Sequence, residues 1–213
     1  MTDRIRMGLE LMKYGYNRGL YTVLEIFMVL LGLGYFIAGV PSVGAFFLMG
    51  SMTCQLQLLS SVSVCLMVRT SPRRRQLETW VFPAVNMIKS VLLYLLILGL
   101  RLIGGIWMRE SLQTLPEEMI FMGLAAFIVM VFLGMAYKFM VLATIFFGLL
   151  FYAGFRLPEL MAGTLSQLSP AAGIGIGLLE IVLGALVQAG MIRLLYGLPP
   201  SKLSQDRGLR RYL

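Results

Sequence analysis

The chain has 213 residues, of which 59% are hydrophobic and only 13% are charged, with a formal net charge of +8 and a mean hydropathy of +0.85. An ordinary soluble domain carries about 25% charged residues, so this composition excludes a soluble globular enzyme and a disordered tail. The chain has no histidine and no GxxxxGK[ST] phosphate loop, which excludes imidazole chemistry and ATP hydrolysis through that motif. We predict no catalytic residue and no metal site.

Six apolar runs have the length of membrane crossings, each of which needs roughly 20 residues. They cover residues 20–40, 44–68, 84–108, 119–137, 139–155 and 171–196. Tyr137 and Lys138 are the only polar break between the fourth and fifth runs, so that boundary stays open. The sequence therefore predicts an all-α integral membrane protein with six transmembrane helices in a single domain over 1–213.

The remaining segments are short and flank these spans. Residues 1–19 have the basic, amphipathic pattern of an elbow helix that lies in the membrane interface. Spans one and two take 20–68, a loop takes 69–83, and spans three to five take 84–155. Residues 156–170 are predicted to form a re-entrant loop, 171–196 form span six, and 197–213 form a basic tail.

Positive charge is concentrated on one side of this layout. That side holds Arg4, Arg6, Lys13, Arg18, Arg69, Arg73, Arg74, Arg75, Lys138, Lys202, Arg207, Arg210 and Arg211. The positive-inside rule then places both termini in the cytoplasm of a multi-pass protein. The net charge is explained by this topology, and nucleic-acid binding is not predicted.

The loop 69–83, RTSPRRRQLETWVFP, predicts a cytoplasmic helix of about three turns. Ser71 suits the N-cap and Pro72 the first helical position. Pro83 is expected to end the helix, because the residue before a proline avoids helical geometry. Leu77 and Trp80 are expected to share one face.

Three arginines, Arg73, Arg74 and Arg75, crowd the start of this predicted helix, where they oppose the helix dipole at a cost of some tenths of a kcal/mol each. A partner outside the helix is expected to compensate. Anionic lipid headgroups are one candidate, and an acidic groove on a cytoplasmic protein is the other. The residues alone leave both open.

A basic elbow followed by six spans resembles the permease subunits of ABC transporters of the type-two exporter superfamily. Those permeases carry a coupling helix after span two that often reads Leu-Pro-x-Ser-Arg-x-Glu. The residues here that resemble it are Ser71, Pro72, Arg73, Arg74, Arg75 and Glu78. In size the chain is similar to small permeases that export toxic peptides, such as phenol-soluble modulins.

The resemblance implies a subunit that provides the pathway for a hydrophobic or amphipathic substrate and is not itself an enzyme. It implies two copies of an ATP-binding cassette ATPase that bind ATP and Mg, a second permease copy in a homodimer or heterodimer, and a lipid environment in the bacterial plasma membrane. The chain itself would hold no cofactor. The ATPase-coupling residues would be Ser71, Pro72, Arg73, Arg74, Arg75, Leu77, Glu78, Trp80, Tyr137 and Lys138.

Four charged residues lie inside the predicted spans, where an unpaired charge costs at least ~2.5 kcal/mol at mid-span. Glu25 and Lys89 are each about five residues from the same side of the membrane, and Arg101 and Glu180 match in depth near the other side. We therefore predict two ion pairs, Glu25–Lys89 and Arg101–Glu180. Snorkelling to the interface is the alternative for Glu25 and Lys89.

Polar and small residues mark two further spans. Span two carries Gln55, Gln57, Ser60 and Ser61, which predict either helix packing or a pathway wall at a dimer seam. Gly173 and Gly177 at the start of span six form a GxxxG spacing, and we predict that they pack closely against another helix.

Other functions remain open at this stage. A substrate-binding membrane component of an importer also has about six spans, and an immunity or assembly protein needs no motor contact. An intramembrane protease is disfavoured, because Glu25 and Glu180 are predicted near opposite faces and no histidine is present. The sequence does not identify the substrate or the direction of transport.

Overall fold

The structure is a computed structural model. It describes residues 18–38, the positions 43, 44, 47, 48, 50, 51, 54 and 72, and the ranges 74–107, 112–136, 138–139, 141–146, 148–149 and 168–199. Secondary structure within these ranges is helical, and they contain no strand.

Four helices are long and apolar enough to cross a bilayer. Helix α1 is Arg18–Ile37; helix α2 runs over 74–107 and comprises Arg74–Gln76, the π-helical turn Leu77–Val81 and Phe82–Trp107; helix α3 is Leu115–Ala136; helix α4 is Pro170–Leu195. They correspond to predicted spans one, three, four and six. The protein is therefore an all-α, membrane-embedded chain.

Several predicted segments fall wholly or partly outside the described residues. Predicted spans two and five are described only in helical fragments, at positions between 43 and 54 and at 141–146 and 148–149. Residues 1–17 of the predicted elbow helix, almost all of loop 156–170 and residues 200–213 of the basic tail lie outside. Four of the six predicted spans are thus seen, and the other two stay predictions.

The structure corrects the predicted end of the loop helix at Pro83. The chain stays helical from Arg74 through Pro83 into the span. A proline inside a helix clashes with the carbonyl four residues earlier, but here a π-helical turn precedes it and changes the hydrogen-bond register. Pro83 then sits in the first turn of the following α-helical segment, where its missing N–H is not needed.

Helices α3 and α4 run parallel, and α2 runs antiparallel to both. The close approaches between α3 and α4 follow the same order along both helices: Pro116 with Gly173, Gly123 with Gly177, Phe127 with Gly184 and Gly134 with Gln188. The contacts of α2 run the opposite way: Trp80 with Arg193, Tyr94 with Ile174 and Arg101 with Glu118. The chain between α3 and α4 must therefore return from one end of the bundle to the other.

Glycines allow α3 and α4 to pack at backbone distance. A methyl group on Gly123 would lie 2.5 Å from the Gly177 Cα, and one on Gly173 would overlap Pro116. A methyl group on Gly177 would lie 2.5 Å from the Met119 carbonyl oxygen. The predicted packing role of Gly173 and Gly177 is confirmed, and we call this contact the glycine seam.

The ends of α4 follow from local sequence. Ser169 is the N-cap, and its hydroxyl accepts a hydrogen bond from the Ala172 N–H at 3.3 Å. Pro170 is the first helical residue, where its fixed φ is favourable. Gly197 and Pro199 follow the last turn and favour its termination. The core lies between α2, α3 and α4, whereas α1 exposes most of its apolar surface.

Candidate functional site

A row of polar side chains lies on the inner face of α2. Asn86, Ser90 and Tyr94 recur every four residues, which places them along one side of the helix, and all three are buried. The Ser90 hydroxyl donates a hydrogen bond to the Asn86 carbonyl at 2.8 Å. Polar groups are rare inside membrane helices and commonly mark a functional site, so this row is the starting point of the candidate site.

Helix α4 presents two further polar side chains at the levels of this row. The Tyr94 hydroxyl donates to the Ile174 carbonyl at 3.1 Å, and the Gly177 Cα lies beside it. Counting along the antiparallel pair from Gly177, which lies beside Tyr94, places Glu180 three residues, or about one turn, from Tyr94. The same count places Gln188 within about one turn of Asn86. Tyr94 and Glu180 therefore lie near one level of the bundle, and Asn86 and Gln188 lie near another.

Three buried side-chain oxygens in this region have no hydrogen-bond partner among the residues that the structure describes. They are Oδ1 of Asn86, Oε2 of Glu180 and Oε1 of Gln188. Asn86 and Gln188 are 3% and 2% exposed. An unsatisfied buried polar atom costs about 1–3 kcal/mol, so these three oxygens are candidate ligands for a bound group.

A bidentate ion pair lies at one end of the row, and we call this end the Arg101 end. Arg101 Nε lies 2.6 Å from Glu118 Oε2, and Nη2 lies 2.8 Å from Oε1. The Thr114 hydroxyl donates to the same carboxylate at 3.0 Å. The predicted partner of Arg101 was Glu180, and that pairing is not found: α3 begins at Leu115, so Glu118 lies in its first turn and closer to Arg101.

The opposite end, the Trp80 end, is marked by a cation–π contact. The Arg193 guanidinium carbon lies 4.1 Å from the centre of the Trp80 ring. Trp80 is 55% exposed, whereas Leu77 and Glu78 are buried. Leu77 and Trp80 therefore do not share a face as predicted, since the π-helical turn changes the angular spacing of its residues. Indole rings and arginines are typical of the membrane interface.

Lys89 and Glu25 join α2 to α1. The Lys89 ammonium donates to Glu25 Oε1 in an ion pair that is mostly shielded from solvent. The structure thus brings these two residues together, as the sequence predicted. Among the described residues, this contact links the otherwise exposed α1 to the polar face of α2.

We expect the two charges of this pair to depend on each other. Replacing Lys89 by glutamine leaves the Glu25 carboxylate without its cation and should lower the free energy of unfolding by about 2 kcal/mol, since it leaves a partly buried charge unpaired. The charge-swapped variant Glu25→Lys/Lys89→Glu should recover about half of that loss. Unfolding in mixed detergent micelles measures both. Coupling below ~0.3 kcal/mol in the double-mutant cycle of Glu25→Gln and Lys89→Gln would mean that each side chain snorkels separately.

The structure describes only part of the other predicted residues. Lys138 is buried, which does not fit a surface contact with an ATPase. Arg75 is exposed and Pro72 is exposed, as a coupling contact needs. For Arg74 the structure describes the backbone alone. The residues outside the described ranges are Ser71, Arg73, Tyr137, Gln55, Gln57, Ser60 and Ser61.

Comparison with known proteins adds no relative to these observations. The chain matches no family model, no curated protein and no solved structure.

Sequence reasoning did not select Asn86, Ser90, Tyr94 and Gln188. A signal was present, because the three α2 residues recur every four positions inside an apolar run. The predicted polar positions were the charged residues of all spans and the polar residues of span two. The residues of this row are neutral side chains of spans three and six.

Proposed function

We propose that this chain is the membrane-spanning permease subunit of an ATP-driven exporter, and that a separate ATPase subunit supplies ATP hydrolysis. The observation that carries the proposal is the continuity of α2. Its first turn holds Arg74 and Arg75, and the same helix continues through Pro83 to the buried row at Asn86, Ser90 and Tyr94. A force applied at the basic end would therefore reach the helix core.

The π-helical turn Leu77–Val81 supports this view of α2 as a moving element. π-Helical turns inside α-helices occur frequently at functional sites. Here the turn separates Arg75, which is exposed, from an apolar span. Its Thr79 hydroxyl donates to the Arg75 carbonyl at 2.7 Å, which satisfies one backbone acceptor at the join.

Direct contact with the ATPase is assigned to the exposed part of this segment. Arg75 and Trp80 are exposed, whereas Leu77 and Glu78 are buried and would transmit the movement. Two ATPase copies with bound ATP and Mg and a second copy of this chain complete the proposed complex. In this proposal both termini are cytoplasmic, and the substrate is hydrophobic or amphipathic.

The first experiment is a gentle affinity purification of the chain from its own membranes, with mass spectrometry of the proteins retained. A soluble subunit with a GxxxxGK[ST] loop at near-equal amount supports the proposal. If the chain is recovered alone even after crosslinking, the exporter proposal is wrong. A substrate-binding importer component, or an immunity or assembly protein, would then replace it.

Charge reversal at the basic segment is expected to uncouple this complex. With Arg73, Arg74 and Arg75 replaced by glutamate, we expect at least a tenfold loss of retained ATPase subunit, because each reversed contact changes the interaction by about 0.5–1 kcal/mol. The matched control reverses Arg207, Arg210 and Arg211 of the basic tail, which changes the net charge equally. Equal losses in both variants would assign the effect to general attraction by anionic lipids.

A further inference from the structure

The carboxyl group of Glu180 lies in a gap between α3 and α4 that a glycine provides. Its Oε2 is buried and has no hydrogen-bond partner within the described ranges. This oxygen lies 2.5 Å from the point that a methyl group on Gly123 would occupy. Any larger residue at 123 would therefore fill the space that the carboxyl group uses.

The polar atoms around this carboxyl group are oxygens. The Gly177 carbonyl oxygen lies 2.5 Å from the same point beside Gly123. The Tyr94 hydroxyl donates its proton to the Ile174 carbonyl, so its lone pairs remain as acceptors. The Met119 carbonyl oxygen also approaches this contact, at 2.5 Å from the corresponding point on Gly177. Several oxygen atoms thus lie near this contact, and within the described part of the chain Glu180 Oε2 receives no hydrogen bond.

The basic residues of the neighbouring helices are engaged elsewhere. Lys89 is paired with Glu25, and Arg101 is paired with Glu118. Of the titratable groups on the packed helices, Tyr94 faces Glu180 from α2. On α3 the nearest is Glu118, five positions before Gly123, and it is held by Arg101. A protein cation therefore does not neutralise Glu180 in the described part of the chain.

The two unpartnered amide oxygens continue the row of acceptors toward the Trp80 end. Gln188 lies eight residues beyond Glu180 on α4, about 12 Å along the helix, and Asn86 lies near the same level on α2. Both are almost fully buried, and their orphan atoms are oxygens. These atoms could coordinate an ion that passes between Glu180 and the bundle end.

We propose that Glu180, Tyr94 and the glycine-lined gap at Gly123 form a binding site for a monovalent cation, which is either a proton or Na⁺. Gln188 and Asn86 connect this site to the Trp80 end. Oxygen ligands suit hard cations. A single carboxylate neutralises one positive charge, whereas a divalent ion would leave net charge in an apolar helix core. The site does not depend on an ATPase partner, so it is tested on the isolated chain.

The test measures the thermal unfolding midpoint of the purified full chain in detergent. Chloride salts of Na⁺, K⁺ and choline are compared at equal ionic strength and fixed pH, and the choline sample is then measured across pH. A site filled at about ten times its dissociation constant raises the midpoint by roughly 3–5 °C. A rise in Na⁺ relative to choline identifies a metal ion. A midpoint that follows pH alone identifies a proton.

Three variants determine whether the effect belongs to this site. Glu180→Gln should remove the dependence on the cation, and Glu117→Gln, in the first turn of α3, should retain it. Tyr94→Phe keeps the carboxyl group and should shift half-saturation to higher cation concentration, which provides a test if the glutamine variant does not fold. The proposal is overturned by a midpoint that is independent of both cation and pH, or by a dependence that persists unchanged in Glu180→Gln and Tyr94→Phe.

Discussion

Replacing Gly177 by alanine is expected to separate α3 from α4 and to cost about 3 kcal/mol of unfolding free energy. The added methyl group would lie 2.5 Å from the Met119 carbonyl oxygen and would overlap the Tyr94 hydroxyl. Backbone atoms on α3 cannot rotate away as a side chain can, so the effect lies at the upper end of the range for overpacking. Unfolding in mixed detergent micelles, followed by circular dichroism, measures the loss.

Gly175 provides the matched control on the same helix. It is exposed, and a methyl group there would meet no atom within 4 Å. Gly175→Ala should leave stability unchanged or raise it by up to about 1 kcal/mol, because alanine favours the helix. If both variants lost stability equally, helix α4 itself and not the glycine seam would be sensitive to substitution.

The second large effect is expected at Arg101. Replacing it by glutamine leaves the Glu118 carboxylate without its bidentate partner at the Arg101 end. Breaking a buried ion pair costs about 3–5 kcal/mol, and we expect the lower end of this range. Arg101 is only 5% exposed, but the Glu118 side chain is 21% exposed and keeps the Thr114 hydroxyl. The same unfolding measurement applies.

Two double-mutant cycles distinguish the pairing in the structure from the pairing predicted from depth. Arg101→Gln combined with Glu118→Gln should show coupling of 1 kcal/mol or more, because the residues are in contact. Arg101→Gln combined with Glu180→Gln should be additive within ~0.5 kcal/mol. Strong coupling in the second cycle and none in the first would show that Arg101 binds Glu180 after all.

Hydropathy and spacing predicted the parts of the fold that depend on long, repeated patterns. Spans one, three, four and six appear as helices, since some twenty apolar residues suffice to define each one. The contact at Gly173 and Gly177 was also predictable, because two glycines four residues apart lie on one helix face. These features rest on many residues or on a fixed geometry.

Predictions that depended on one residue or on a span boundary were less reliable. The stop at Pro83 follows from a rule for regular α-helices, and the π-helical turn before it removes the clash that the rule assumes. The predicted partner of Arg101 was chosen by its depth in the membrane, and span four was predicted to begin at residue 119. The helix begins four residues earlier, at Leu115, and so includes Glu118. The sequence did not show that additional turn.

The parallel arrangement of α3 and α4 has a consequence for biosynthesis. Helix α3 ends at Ala136, but its partner is complete only at Leu195, about 60 residues later. At roughly 5–20 residues per second, the ribosome needs about 3–12 s to make that stretch. During this interval α3 has to remain in the bilayer with its glycine face against lipid, which its strongly apolar surface permits. Nascent chains truncated before 170 should therefore expose that face to crosslinking by insertion factors, and completion of α4 should end the exposure.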